Sequence, residues 1–356
     1  MWWGKGRECI GLSFMVVPMT TTSVRDVARR AGVSVGTVSN VFNHPEKVSQ
    51  ATVDRVQAAI DELGFIRNDA ARQLRAGRST TIGLVVLDVR NPFFTDVARG
   101  AEDQAALAGL TVTLGNSDEN TERESKYLDL FEEQRVHGVL ISPYADITAR
   151  LEGLRRRGIP AVLVDRSSGD ASFSSVSVDD VAGGRLAIEH LISCGRTRIA
   201  FIGGPMDIRQ VSDRLAGARE AAAEHPEATL EIMETTALSV IEGRRIGAKI
   251  VALDPADRPT AIFAANDLVA MGVLQALMMQ AQVNVPDEIA LIGYDDIDFA
   301  SAAVIPLSSI RQPSALIGQT AVEILLEEAR DASVQPRQVV FKPELVVRDS
   351  TTVTAR

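Results

Sequence analysis

The stretch Ser23–Asn43, SVRDVARRAGVSVGTVSNVFN, decides the fold of the N-terminal part of the chain. It opens on Ser23, with Asp26 three residues later, the spacing of a helix capping pair. Apolar residues then recur at helical spacing: Val24, Val27, Ala28 and Ala31. Gly32 follows at once and favours a helix end. The pattern predicts a short amphipathic helix that stops at Gly32.

A second short helix is expected immediately after this glycine. Ser34 is a favoured capping residue, and the apolar residues behind it are Val38, Val41 and Phe42. Two capped helices joined by a glycine turn predict a helix-turn-helix, in which the second helix enters the major groove of DNA. An ordinary helical hairpin has the same local signals, so this motif alone leaves both interpretations open.

A third helix makes a small folded domain possible. Its apolar residues are Ala51, Val53, Val56, Ala59, Ile60 and Leu63, and Gly64 follows them. They can cover the first two helices, which gives a DNA-binding domain over residues 23–67. Asn68 then caps a short linker segment, residues 68–79, that is too short to be a stable helix alone in water.

With these segments in view, the chain resembles the LacI/GalR family of bacterial transcriptional regulators from about Ser23 onward. The resemblance is carried by DVARRAGVSVGTVSNVFN, VSQATVDRVQAAIDELGFIRN, AARQLRAGRS and, much later, IGYDDI. It implies an N-terminal all-α helix-turn-helix head, residues 23–67, and an α/β periplasmic-binding-protein-like body of two doubly wound parallel-sheet subdomains. A pseudo-palindromic double-stranded operator, a homodimer and a small-molecule effector are implied as partners.

The resemblance also assigns DNA contacts. Val35, Gly36 and Asn40 would meet base edges, with Asn40 suited to a bidentate pair with adenine. Ser34, Thr37 and Ser39 suit phosphates or simple capping. In the linker, Asn68 is the cap and Leu74 matches the residue that enters the minor groove and bends the duplex. Many family members carry Arg at the place of Asn40, so their operators do not transfer to this chain.

Charge is distributed unevenly along the chain. Residues 20–80 hold nine Lys+Arg and six Asp+Glu, whereas residues 81–356 hold 26 and 40. Attraction for phosphates is therefore confined to the N-terminal end. Residues 1–22 do not fit the following pattern, and a start codon placed too far upstream explains them better than a signal peptide. The expected location is the cytoplasm, in association with the nucleoid.

The body, residues 80–356, alternates strand-like and helical runs, which predicts parallel sheets with right-handed crossovers. The strand-like runs include TIGLVVLDV, GVLISP, RIAFIGG, AIFAAN, IALIGYD and VVFKPELVVR. We expect one subdomain over residues 80–178 and 311–335 and the other over 179–310 and 336–356. Ligands of such sheets bind beyond the carboxyl ends of the strands.

Polar and aromatic residues gather at these strand ends. The candidate effector-binding residues are Asn91, Phe93, Phe94, Arg166, Arg214, Asn266, Asp295 and Gln312. Amides, carboxylates and guanidinium groups pair with hydroxyls, and aromatic rings stack on a sugar ring. The set resembles the pocket of periplasmic pentose-binding proteins. A repressor of carbohydrate-metabolism genes with a sugar effector is therefore favoured, although induction and co-repression stay equally open.

Other functions are less well supported. A regulator that responds to a purine or another metabolite is the alternative. The resemblance argues against a purine, because the purine-sensing branch of the family uses Arg where this chain has Ile208. A sugar-transport binding protein would lack residues 23–78. An enzyme is disfavoured because acidic pairs such as Asp179-Asp180 have no accompanying nucleophile with a base. Two cysteines and four histidines show no metal-ligand spacing, so we expect neither catalytic residues, nor a metal, nor a cofactor.

Overall fold

A computed structural model of the chain describes residues 22–65, 79–167, 172–281 and 283–352. The chain divides into two compact units, residues 1–76 and 77–356. The first unit contains the head and the second contains the body. Each unit is described by itself.

The head is formed by the three helices that the sequence predicts, α1 (Val24–Ala31), α2 (Val35–Asn43) and α3 (Gln50–Leu63), with a 3-10 turn at Pro45–Lys47. The Ser23 hydroxyl accepts from the Asp26 amide at 3.4 Å, and the Asp26 carboxylate accepts from the Ser23 amide at 3.0 Å. Gly32 and Gly64 end α1 and α3 with φ of 66° and 57°, in the left-handed region that favours glycine. The core consists of Val27, Ala28, Ala31, Val38, Val41, Val56 and Ala59.

The body contains two six-stranded sheets. In the first sheet all neighbours are parallel, in the order β11-β5-β4-β3-β1-β2. Its strands are β1 (Thr81–Val86), β2 (Thr111–Asn116), β3 (Gly138–Ile141), β4 (Ala161–Val164), β5 (Ser175–Val178) and β11 (Gln338–Phe341). Its central strands are buried and mostly apolar, as parallel strands covered on both faces should be.

The second sheet has the order β12-β10-β9-β8-β6-β7, and only its edge strand β12 is antiparallel to its neighbour among the described strands. Its strands are β6 (Arg198–Gly203), β7 (Thr229–Glu234), β8 (Ala261–Ala264), β9 (Ala290–Asp295), β10 (Ser308–Arg311) and β12 (Glu344–Val346). The two sheets confirm the predicted doubly wound architecture of the body.

Helices connect and cover the strands. They are α4 (Pro92–Leu107), α5 (Thr121–Glu133), α6 (Thr148–Arg156), α7 (Asp180–Ser193), α8 (Arg209–Ala223), α9 (Val240–Val251), α10 (Asp267–Ala281), α11 (Asp298–Ser301) and α12 (Ser314–Arg330). The closest approach that matters for function is between α7 and α8. A Cβ at Gly217 would lie 1.8 Å from the Val181 carbonyl oxygen, and one at Gly184 would lie 1.9 Å from that of Arg214. Glycines therefore allow the helix contact that brings Asp180 of α7 to Arg214 of α8.

The structure corrects one predicted boundary. Residues 336–356 were expected to belong entirely to the second subdomain, but β11 pairs with β5 in the first sheet, with Gln338 opposite Ser175. The run VVFKPELVVR is thus two strands, because Lys342-Pro343 carries the chain from one sheet to the other. The strands SVSV (Ser175–Val178) and SSIR (Ser308–Arg311) were not predicted, since alternating or paired serines hide a buried strand.

None of the helices in the described parts of the chain is both long enough and apolar enough to span a membrane.

Candidate functional site

In the head, the start of α2 presents an exposed face. Val35 is 38% exposed, and Gly36 and Asn40 are exposed beside it, while Val38 and Val41 face the core. The Asn40 side chain has no hydrogen-bond partner within residues 22–65. Its amide is therefore available for the two hydrogen bonds that adenine offers in the major groove.

The polar residues around this face are partly engaged in the helix itself. The Ser34 hydroxyl accepts from the Thr37 amide at 3.0 Å and lies 2.9 Å from the Thr37 hydroxyl. Ser39 accepts from the Asn43 side chain at 3.3 Å. Capping of α2 by Ser34 is thus confirmed, and phosphate contact by Ser34, Thr37 and Ser39 stays a prediction. The two linker residues assigned to DNA, Asn68 and Leu74, lie outside the described residues.

The body encloses a small cavity of about 30 Å³ at the carboxyl ends of strands from both sheets. Its walls from the first subdomain are Leu87, Asp88, Asn91, Phe93, Phe94, Glu119 and Asp165. Its walls from the second are Ile208, Gln210, Arg214, Leu238, Asn266 and Asp295. This is where parallel sheets place ligands. The volume is far below the few hundred Å³ of typical ligand pockets, so a ligand must separate the walls.

Arg214 is the polar centre of the cavity. Its Nε donates to Asp180 Oδ1 at 2.8 Å, and its Nη1 donates to the Ala265 carbonyl at 2.8 Å and lies 3.7 Å from Asp295 Oδ1. The guanidinium carbon lies 3.6 Å from the centre of the Tyr294 ring. Burial alone would lower the pKa of Arg214, but the adjacent carboxylates, Asp180 foremost, raise it above its ordinary value. The guanidinium is charged and held in one orientation.

Asp295 receives donors from both sides of the cleft. Asn91 Nδ2, from the first subdomain, donates to Asp295 Oδ2 at 2.8 Å, and Gln312 Nε2 donates to Oδ1 at 2.7 Å. Burial raises the pKa of Asp295 above its ordinary value, and the charge of Arg214 offsets this rise only in part. Gln312 does not line the cavity and acts on it through Asp295.

Asp165 forms a second bridge across the cleft. Gln210 Nε2, from α8, donates to Asp165 Oδ2 at 2.8 Å and to its backbone carbonyl at 2.6 Å. Asp165 Oδ1 is buried and has no hydrogen-bond partner in the described structure. Burial and then the charge of Asp180 raise the pKa of Asp165 well above its ordinary value. An unpaired buried acceptor is costly, which indicates a place for a ligand donor.

The aromatic wall is built by the start of α4. The Asn91 side chain caps this helix by accepting from the Phe93 amide at 3.1 Å. Phe93 and Phe94 are both buried and meet edge to face, with ring centroids 5.0 Å apart. The cap thus holds both rings at the cavity.

Of the eight predicted effector residues, six line the cavity: Asn91, Phe93, Phe94, Arg214, Asn266 and Asp295. Asn266 also caps α10 by accepting from the Val269 amide at 2.9 Å. The structure does not bring Arg166 to the cavity. Its Nη1 donates instead to the carbonyls of Pro143 at 3.3 Å and Ala145 at 3.0 Å.

Several functional residues were missed from the sequence. Asp88 and Glu119 follow β1 and β2 directly, so the rule that singled out Asn91 could have found them. Gln210 lies four residues before Arg214 and therefore on the same face of α8. Asp180 was noted only as part of the acidic pair Asp179-Asp180, because its partner Arg214 lies 34 residues further along the chain. No group of three or more His, Cys, Asp and Glu side chains in the described ranges could hold a metal ion.

Glu119 makes stability depend on pH. Burial, followed by the charges of Asp88 and Asp118, raises its pKa to about 7; Asp207 adds to this and Arg90 opposes it. The folded state therefore binds more protons than the unfolded state between the ordinary pKa of 4.5 and about 7. The stability contributed by this group is present at low pH and is lost as pH rises through that window.

We therefore expect the wild-type melting temperature to fall more between about pH 5 and about pH 8 than that of the Glu119→Gln variant, as measured by circular dichroism. Glu122→Gln is the control, because Glu122 is an exposed residue three positions further on. Equal pH dependence of the wild type and the Glu119 variant would contradict the expectation.

Curated relatives cover nearly the whole chain. The HTH-type transcriptional repressor PurR of Photobacterium profundum is 36% identical over 92% of this chain and 98% of its own length. The ribose operon repressor of Escherichia coli K12 is 34% identical over 92% of this chain and 99% of its own length. A solved structure of the lac repressor dimer, bound to operator and the anti-inducer ONPF, matches with a TM-score of 0.79. It is 28% identical and covers 93% of this chain and 99% of that one.

Family models agree with the two units. Residues 23–68 match the model for bacterial regulatory proteins of the lacI family, and residues 188–351 match a periplasmic binding protein-like domain. A DNA-binding head joined to a ligand-binding body of this kind defines a transcriptional regulator and not an enzyme. The chain belongs to the LacI family of bacterial transcriptional regulators.

Proposed function

We propose that this regulator is a repressor of carbohydrate-metabolism genes, controlled by a small neutral sugar of about pentose size that binds in the cavity of the body. The observation that carries the proposal is the combination of a fixed Arg214, the carboxylates Asp165 and Asp295, and the two rings of Phe93 and Phe94 in one cavity. Charged groups form strong hydrogen bonds with hydroxyls, and aromatic faces cover the C–H face of a sugar ring.

The lining favours a sugar over a nucleobase. Ile208 is buried and apolar in the cavity wall. The purine-sensing branch of the family has an arginine at this position. Relatives of both kinds, the PurR repressor at 36% identity and the ribose operon repressor at 34%, resemble this chain to a similar degree, so the preference for a sugar rests on the cavity lining. A pentose is therefore the first candidate effector.

Effector binding is coupled to the arrangement of the two subdomains. Three hydrogen-bonded pairs join them at the cleft: Asn91 with Asp295, Gln210 with Asp165, and Tyr144 with Asp207, whose hydroxyl and carboxylate oxygens are 2.6 Å apart. A ligand too large for the present cavity must break or replace such pairs. If the resulting movement alters operator binding, the effector changes the affinity for the operator and the operator changes the affinity for the effector by the same factor. The free energy of such coupling is typically about 1–3 kcal/mol.

The proposed DNA complex contains two copies of the chain. One head covers only a half-site, so recognition of a pseudo-palindromic operator requires a homodimer. The matched lac repressor structure is such a dimer on its operator. A protein that acts in this way works at the chromosome, in the cytoplasm.

Titration calorimetry of the full chain tests the effector. The panel is ribose, arabinose, xylose, glucose, galactose, guanine and hypoxanthine. We expect at least one pentose to bind, and Phe94→Leu to weaken that binding roughly tenfold through lost ring contact. Phe299→Leu is the matched control, because Phe299 is 55% exposed on α11 and does not line the cavity.

Binding of guanine or hypoxanthine without any sugar would overturn the proposal. Equal losses in the Phe94 and Phe299 variants would show that the sugar binds elsewhere. Genomic footprinting, followed by operator titration with and without the bound sugar, measures the coupling and its sign.

A further inference from the structure

We propose that Glu119 makes the cavity selective for uncharged ligands, so that a sugar carrying a carboxylate or phosphate is rejected. This inference rests on the proposed function, since it concerns the sugar site. Glu119 follows β2 and lines the cavity next to Asp88. No described residue donates a hydrogen bond to its carboxylate.

The positive charge inside the cavity is already balanced. Arg214 is 5% exposed and contacts Asp180 at 2.8 Å and Asp295 at 3.7 Å. One guanidinium thus lies between two carboxylates, which leaves little attraction for an anion. An anionic ligand would have to displace a buried ion pair, and that is costly.

The other arginines near the cleft are also engaged. Arg90 donates from Nε to Asp88 at 2.9 Å and from Nη2 to Asp118 at 2.7 Å. Arg166 points to the carbonyls of Pro143 and Ala145. Neither guanidinium lines the cavity. Within the cavity lining, the carboxylate of Glu119 therefore has no adjacent guanidinium, and Arg90 outside the lining offsets its charge only in part.

The cavity offers a ligand more free hydrogen-bond acceptors than free donors. The side-chain amides of Asn91, Gln210 and Gln312 all donate to carboxylates of the site. Among the residues that line the cavity, Asp165 has a buried oxygen, Oδ1, with no partner in the described parts of the chain. A ligand therefore has to supply donors. Hydroxyl groups do so, whereas carboxylates and phosphates supply only acceptors near neutral pH.

The test compares ribose with riburonate, in which the C5 hydroxymethyl group is oxidised to a carboxylate, and with ribose 5-phosphate. Calorimetry at about pH 8 keeps Glu119 ionised. We expect the wild type to bind ribose at least roughly 100-fold tighter than either anion. Glu119→Gln should reduce this ratio roughly tenfold. Glu119→Asp retains the charge and should retain most of the selectivity, and Glu122→Gln should match the wild type.

The possible failures are distinguishable. If the wild type binds ribose but Glu119→Gln leaves the ratio unchanged, this inference is wrong and the proposed function stands. Tight binding of riburonate or ribose 5-phosphate by the wild type would likewise contradict the selectivity of Glu119 and leave the proposed function intact. If no neutral sugar in the panel binds, the proposed function fails and this inference fails with it.

Discussion

Replacing Arg214 by methionine is expected to lower the free energy of unfolding by about 3–5 kcal/mol and to abolish sugar binding. The Asp180 side chain is only 8% exposed and loses the partner that lies 2.8 Å away, so its charge is left buried and unpaired. The same change removes the cation 3.7 Å from Asp295. A loss of this size should lower the melting temperature by about 10 °C for a body of this length.

A second substitution separates stability from binding. In the double variant Arg214→Met with Asp180→Asn, no unpaired carboxylate remains at position 180. At least half of the lost stability should therefore return, while sugar binding stays abolished. Arg209→Met on the same helix is the control, because the Arg209 side chain is 63% exposed and its ion pair with Asp213 should contribute under about 1 kcal/mol. Urea unfolding and calorimetry measure the two effects, and equal destabilisation by the Arg214 and Arg209 changes would refute this account.

Asn40→Ala is expected to weaken operator binding by about 1–3 kcal/mol and to remove the preference for one base pair in each half-site. Asn40 is exposed on α2, and its amide is unbonded within the described head. Truncation should therefore remove the predicted base contacts without disturbing the fold. Fluorescence anisotropy at fixed salt would compare the operator found by footprinting with operators altered at single base pairs.

The control for the head is Gln57→Ala. Gln57 is exposed on α3 and donates to Asp61 at 3.1 Å, away from α2. This variant should bind every operator as the wild type does. Uniform weakening of all operators by Asn40→Ala would instead assign Asn40 to the phosphate backbone.

Local signals in the sequence were sufficient for the head. The Ser23–Asp26 pair, Gly32 and Gly64 act through neighbours a few residues away, and the structure contains each predicted cap and helix end. The alternation of strands and helices in the body likewise follows from the local periodicity of its apolar residues. The helices and strands could thus be predicted from short sequence separations, whereas the six cavity residues were found because they lie at strand ends and match a family resemblance.

The features that could not be predicted depend on contacts between residues far apart in the chain. The serines of β10 are buried because distant groups satisfy them: Ser309 donates to Asp267 at 2.7 Å, and the Ser308 and Thr351 hydroxyls are 2.7 Å apart. The Asp180–Arg214 pair likewise exists only once α7 and α8 have packed. Arg166 was expected at the effector because it follows a strand, but the nearby carbonyls of Pro143 and Ala145 bind its guanidinium.

The last two strands have a consequence for biosynthesis. β11 completes one edge of the first sheet and β12 completes one edge of the second, although only Lys342 and Pro343 separate them. Neither half of the body is whole until this C-terminal segment has emerged from the ribosome. Both nascent halves should therefore expose unpaired strand edges until residues 338–346 have emerged, and only then can the two sheets be completed.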